Sequence, residues 1–347
     1  MTQAYSSNAH YASYVARRLV QALVVILLAY VVTFVVVSIL PGDPITNVLR
    51  DPQNGFSEKQ IHDIIAAQGL DQPVVVQLWS SLTRFVSGDL GLSMRSNRPV
   101  TTLIAEVLPS TLVLASAGLA VALLLAALIA YGAQFLPRRA GRGAVRGLPS
   151  TFLSVPNFVI GLVLIHAFGF QLGLFRVIDA DSFWATLFAA VALGIPVSAQ
   201  IAGVLVANLD NEARQDYAAV ARARGLGPAR LFFLHLLKPS AIPVITVIAL
   251  AVGELLGGSL ITETVFNRTG VGSLVQRSVT SQDLPVLQAV VSLAAVVFVV
   301  VNLLADIVYP LLDPRVSLAG KGARQPTTAD AETAAETPAL PVAGALT

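Results

Sequence analysis

Six separate stretches of this chain are apolar enough, and long enough, to cross a bilayer, and that leaves few folds open to it. They run from about residue 19 to 40, 110 to 135, 149 to 172, 184 to 208, 241 to 262 and 285 to 311. A helix needs about 20 apolar residues to span a hydrocarbon core of roughly 30 Å. In hydrocarbon every backbone N–H and C=O must be satisfied within the segment, so such runs fold as helices. Composition agrees. Of the 347 residues, 55% are hydrophobic and 12% charged, where soluble domains carry about 25% charged residues. The reading is an all-α polytopic membrane protein. The first run lacks a short apolar core followed by a small-residue cleavage site, so it reads as an uncleaved anchor.

The basic residues orient the chain. Fourteen of the 22 Lys and Arg residues fall in segments on the side of the amino terminus. Of the other eight, five sit in one long insert, and long inserts weigh little in the positive-inside rule. Both termini are therefore expected in the cytoplasm. Residues 1–18 are a loose cytoplasmic start, 19–40 the first transmembrane helix and 41–108 an extracytoplasmic insert. Residues 109–315 form a core of five helices with a cytoplasmic loop at 209–240. The insert is too small for a large core of its own and is expected to pack on the membrane part, with helices at Ser57–Gly69 and Gln72–Phe85. Residues 316–347, rich in Ala, Thr and Pro, bury too little apolar surface to fold and read as a disordered tail. A net charge of +2 makes no case for nucleic acid, and the absence of cysteine excludes disulfides and thiol chemistry.

Residues 216–243, DYAAVARARGLGPARLFFLHLLKPSAIP, lie between two apolar runs yet carry Arg222, Arg224, Arg230 and Lys238. Asp216 suits an N-cap, Arg222 and Arg224 suit the negative end of a helix dipole, and Gly225 suits a left-handed C′ position. Gly227 and Pro228 can open a second helix, which Pro239 and Pro243 close. A short helix, a glycine break and a second short helix make a rigid element at a membrane surface. Tyr217, Val220, Ala221 and Arg224 share one face by helical spacing. That face suits a groove on another protein or an anionic lipid surface.

The same stretch, extended by Val244 and Ile245 to thirty residues, resembles the EAA loop of ABC importer permeases, and its Asp-Tyr start and Ala-Arg-Gly-Leu centre resemble the dipeptide/oligopeptide/nickel branch. The resemblance extends to Pro41-Gly42-Asp43-Pro44, Gly88-Asp89-Leu90-Gly91, Glu263-Thr264-Val265-Phe266, Gly270-Val271-Gly272 and Asp313-Pro314-Arg315, and covers roughly residues 17–316. It implies six transmembrane helices of the ABC importer permease type in the inner membrane of a prokaryote. It implies that Asp216, Tyr217, Ala218, Ala219, Val220, Ala221, Arg222, Ala223, Arg224 and Gly225 form a coupling helix seated in a cleft of an ATPase. It further implies a second permease subunit, a paralogue in this branch, two ATP-binding subunits that bind ATP and Mg, and an extracytoplasmic solute-binding protein. One departure stands out: much of the family has an arginine about ten residues before the Asp-Tyr, where Val206 stands here.

The chain carries no phosphate loop of its own; Gly320-Lys321-Gly322 is a tail tripeptide. No catalytic nucleophile–base pair and no metal-ligand spacing appears, so no cofactor is expected on this chain. If ATP drives it, ATP is hydrolysed on another chain. Glu254, inside the fifth run, is a costly residue in hydrocarbon and should face protein or a water-filled cavity. It and Asn157, in the third run, are candidates for the solute path. His166 and Asp306 read as packing or structural residues. Gly253, Gly257 and Gly258 suit close helix packing, against a second subunit. The reading is a permease translocating peptides or a related small solute. The alternative is an ion-coupled secondary transporter, which would want more than one mid-membrane ionisable group and often an inverted repeat.

Overall fold

The computed structural model describes residues 2–39, 57–61, 72–137, 139, 141–281 and 283–312. Met1–Ala305 form one compact unit; of a second, Asp306–Thr347, the described residues are the end of a helix. The helices are α1 (Thr2–Ile39), α2 (Val74–Val86), α3 (Val100–Phe135), α4 (Arg142–Leu153), α5 (Asn157–Leu164), α6 (Phe183–Glu212), α7 (Asp216–Ala223), α8 (Pro228–Leu231), α9 (Leu237–Val265), α10 (Val271–Thr280) and α11 (Leu284–Leu312). Among the described residues the only β pairing is a single bridge, Leu92–Pro99. The chain is thus an all-α polytopic protein. Five of its helices are long and apolar enough to cross a membrane: α1, α3, α6, the α8–α9 helix and α11.

The third expected crossing is not one straight helix. A π-helical turn at Ile165–Gln171 extends α5, and α4 meets this extended α5 at 105°. Pro156 stands at the junction as the N-cap of α5, where it has no N–H to lose from a continuing helix. The segment still joins the two ends of the bundle. Arg146 bonds Asp210 where α3 and α6 finish, and the Ala180 carbonyl accepts from Arg268 where α3 and α6 begin.

Other boundaries also moved. α1 starts at Thr2 instead of near residue 19, since residues 2–16 contain no Gly or Pro to stop it. Pro196 and Gly194 do not break α6, and Pro239 and Pro243 do not end the helix that begins at Pro228. That helix instead takes a π-helical turn at Phe232–Leu236 directly before Pro239, whose missing N–H leaves the His235 carbonyl without its usual donor. Gly194 serves packing. A Cβ there would lie 2.7 Å from the Gly118 carbonyl oxygen of α3. Gly194→Ala is expected to cost about 2 kcal/mol through overpacking, read as a lower melting temperature of the purified protein; an unchanged value would mean α3 and α6 part freely.

α6 is the central helix. Its small residues Ala189, Ala190, Ala192 and Ala202 and its larger Leu193, Val197, Ile201 and Leu209 are buried in one core with Leu114, Ala122 and Ala126 of α3 and Leu255 of α9. The described part of the insert does pack on the rest. Phe85 of α2 meets Tyr30 of α1 with ring centroids 4.6 Å apart. The expected helix at Ser57–Gly69 is seen only as one turn at 58–61, where Ser57 and Gln60 cap one another reciprocally; the rest, with Pro41–Pro44 and residues 313–347, lies outside the described residues.

Candidate functional site

One end of the bundle carries α7, the helix of the patterned loop. Its N-cap is Gln215, one residue before the expected Asp216, and no side chain caps it. Asp216 sits in the first turn, where its charge still favours the helix dipole. The other end closes as the glycine foretold. Gly225 has φ +83°, Leu226 N–H bonds the Ala221 carbonyl at 3.1 Å and Gly225 N–H bonds that of Arg222 at 2.9 Å. This is the Schellman pattern. Gly227 then caps α8 with Pro228 in its first turn.

The faces of α7 divide differently from the spacing argument. Ala218 and Ala221 are buried in the main core, so Ala221 does not belong to the outward face. Tyr217, Val220 and Arg224 stand outward, with Asp216, Ala219, Arg222, Ala223 and Gly225 also exposed; Val220 is 49% exposed. Two bonds fasten the helix to the end of α6. The Tyr217 hydroxyl donates to Glu212 at 2.5 Å, and an Arg222 Nη donates to the Ala213 carbonyl at 2.8 Å. Burial and the Glu212 carboxylate push the Tyr217 phenol up to about 12, so it remains a donor throughout the neutral range.

Half a turn earlier on α6, Asp210 takes a bidentate pair from Arg146 of α4, both contacts 2.8 Å, and a bond from Gln134 of α3 at 3.0 Å. Arg142 and Arg146 also donate to the Ala133 carbonyl at the end of α3. This tie was not foreseen. Its signal was a pair of acids, Asp210 and Glu212, ending one apolar run and a basic cluster leaving another.

The two candidates for the solute path, Asn157 and Glu254, come together. They line one cavity of about 290 Å³ with Leu153, Val155, Pro156, Leu193, Pro196, Val197 and Gly258. The cavity sits at the α4–α5 bend, against α6 and α9. Glu254 accepts from Gln200 Nε2 at 2.8 Å. His166 is exposed and bonds Gln171 instead. Of the glycines near Glu254, Gly253 packs on Phe298 of α11 and Gly258 on Leu193 of α6, while Gly257 faces open space. The first two are therefore explained within this chain.

The far end of the bundle holds a polar knot. Glu263, fully buried, accepts from Thr111 Oγ1 at 2.6 Å and from the Ser273 amide at 3.2 Å. Thr111 Oγ1 in turn accepts the Val271 amide at 2.7 Å. Gly270 and Gly272 are glycines because a Cβ at either would press within 2.3 Å of Glu263 or the Leu260 backbone. Arg268, buried, donates to the Ala180 carbonyl, Thr186 and Ser110, binding the starts of α3 and α6 to the α9–α10 loop. Asp283 accepts from Ser93 Oγ at 2.5 Å and the Met94 amide at 3.2 Å, holding the turn-rich end of the insert beside α11. The family-like Glu-x-Val-Phe, Gly-x-Gly and Gly-Asp-Leu-Gly segments are thus parts of one closure.

Residues 118–318 match the family described as binding-protein-dependent transport system inner membrane component, and residues 11–115 match the N-terminal part of such membrane components. The glutathione transport system permease protein GsiC of Salmonella typhi is 33% identical over 305 residues, 88% of this chain and 98% of that protein. GsiC of Escherichia coli strain K12 is 32% identical over the same span.

Proposed function

Because the chain belongs to the family of binding-protein-dependent transport inner-membrane components, in the dipeptide/oligopeptide branch, it is a membrane-crossing permease subunit of an ABC importer, and we propose that it carries peptides or a related small solute inward. The glutathione systems of its relatives favour a peptide-like solute. Family membership sets aside the ion-coupled secondary transporter, which the lone mid-membrane Glu254 had kept open. Solute reaches this subunit from an extracytoplasmic binding protein. It passes between this chain and a second, paralogous permease subunit. Two partner ATPase subunits bind ATP and Mg and hydrolyse it. Both termini and the 209–240 loop lie in the cytoplasm, with the 41–108 insert outside, as the arginine distribution supports.

One observation carries the coupling role. α7 presents Tyr217, Val220 and Arg224 outward while Tyr217 and Arg222 tie it to the end of α6. A helix held this firmly passes a push on its outer face into a bundle helix. Ala218 and Ala221 position it from beneath, and Asn157 with Glu254 line the solute path. The test is co-purification of the ATPase with this chain and its permease partner. Val220→Asp alters an exposed residue and should leave the fold intact. It should weaken ATPase retention by roughly tenfold or more, the effect of truncating an interface anchor. Undiminished retention would show that α7 is not the contact. Ala218→Asp is a poorer test, since a charge in that buried place would unseat α7 itself.

A further inference from the structure

We propose that the Glu254 carboxylate is the receptor for an ammonium group on the solute. This rests on the reading of the Asn157–Glu254 cavity as part of the solute path. Glu254 stands on α9 eleven residues before Val265, about 16 Å of helix from the far end, and its side chain is exposed there. A carboxylate at such a depth needs compensation. The bond it receives is from a neutral donor, Gln200 Nε2, onto Oε2. Oε1 accepts no hydrogen bond among the described residues, and Gln200, unlike arginine, brings no charge. No Lys or Arg lines the cavity, and none of the ion pairs found among the described residues reaches Glu254. Of the basic residues of α4, Arg146 is taken by Asp210 and Arg142 donates to the Ala133 carbonyl, both at the opposite end of the bundle.

The walls narrow the chemistry of the guest. Leu153, Val155, Leu193 and Val197 offer apolar surface, and Asn157 offers an amide. A group that carries one positive charge beside an amide and an apolar side chain is the amino-terminal portion of a peptide. The ammonium takes the free lone pairs of Glu254, the adjoining peptide group takes Asn157, and the first side chain lies on the aliphatic wall. A volume of about 290 Å³ holds a dipeptide-sized portion of solute. Gln200 acts as a positioning residue, since its bond to Oε2 turns the other oxygen toward the cavity.

The experiment uses the purified importer complex without its binding protein. Glu254 is labelled with dicyclohexylcarbodiimide, and modification at that residue is followed by mass spectrometry. The probes are a free dipeptide and its N-acetyl form, each added at high concentration. Protection by the free dipeptide and none by the N-acetyl form is the expected result. Equal protection by both would overturn the ammonium assignment while leaving the cavity in the solute path. Protection by neither would remove Glu254 from the path altogether. Glu254→Gln gives a second readout in uptake assays. It should lower uptake of the free dipeptide roughly tenfold while the complex still assembles. Loss of assembly would mark Glu254 as an interface residue and overturn the proposal. Whether the complex couples ATP to uptake at all is read separately from the unaltered protein, so a failure of the importer reading cannot be mistaken for a failure of this one.

Discussion

Glu263→Ala should destabilise the protein by about 3 kcal/mol, the largest loss expected from any single polar side chain described above. The carboxylate is fully buried and accepts the Thr111 hydroxyl and the Ser273 amide. Alanine removes both acceptors and leaves a void beside Gly270. Thr111 can turn its hydroxyl to a carbonyl of its own helix, which returns part of the loss. The Ser273 amide, near the start of α10, has no such recourse. Glu263→Gln should cost less, about 1 to 2 kcal/mol, because it keeps one acceptor and points an N–H at a donor at the other. The melting temperature of the purified complex orders the two variants, and a Gln variant as unstable as the Ala variant would contradict the bonding just described. A stricter check uses Gly270. Its φ is −134°, so alanine is permitted by the backbone, yet a Cβ would lie 2.2 Å from the Glu263 carboxyl. Gly270→Ala should therefore be costly alone and much less so beside Glu263→Ala. Simple additivity of the two would mean that the glycine and the carboxylate do not share that space.

What could be read from the sequence followed the range over which each signal acts. The apolar runs gave the crossings because hydrocarbon admits no other backbone arrangement, and Gly225 gave the end of α7 because a C′ residue needs positive φ. Both are local. The start of α7 was misplaced by one residue because an acid satisfies the helix dipole from N1 as well as from the cap. Pro196, Pro239 and Pro243 were read as breaks because proline is a breaker in isolation. Here neighbouring helices and a π-helical turn accommodate them. The polar ties were out of reach for another reason. Glu263 meets Thr111 across 152 positions, and Arg146 meets Asp210 across 64. Neither pairing has a periodicity to betray it. Asn157 and Glu254 were each suspected alone, on the cost of polarity in hydrocarbon, but only the 105° bend at Pro156 puts them in one cavity.

That bend gives the second large effect its mechanism. α4 touches both working parts of the molecule. Near its beginning Arg146 grips Asp210, less than one turn before Glu212 and Ala213, which hold α7. At its end Leu153 leads into Val155, Pro156 and Asn157 at the cavity. On the proposed reading of α7 as the ATPase contact, a push on it moves the end of α6, and the bidentate pair obliges α4 to follow, which moves the cavity wall. Arg146→Ala should therefore uncouple the importer. ATP hydrolysis should persist while solute carried per ATP falls by roughly tenfold, a coupling loss of about 1.4 kcal/mol. The cost in stability should be small, about 1 kcal/mol at most, because the pair is about one-third exposed and solvent screens it. Arg146→Lys should be intermediate, since an ammonium cannot make the two parallel bonds of a guanidinium. Exchanging the charges with Arg146→Asp and Asp210→Arg should restore coupling in part, but not in full, because the Ala133 carbonyl then keeps only its bond from Arg142. A purely structural pair predicts something else: ATP hydrolysis, uptake and yield of complex would all fall together, and the ratio of solute to ATP would hold. That ratio, measured in proteoliposomes, decides whether the tie is a strut or only a fastening.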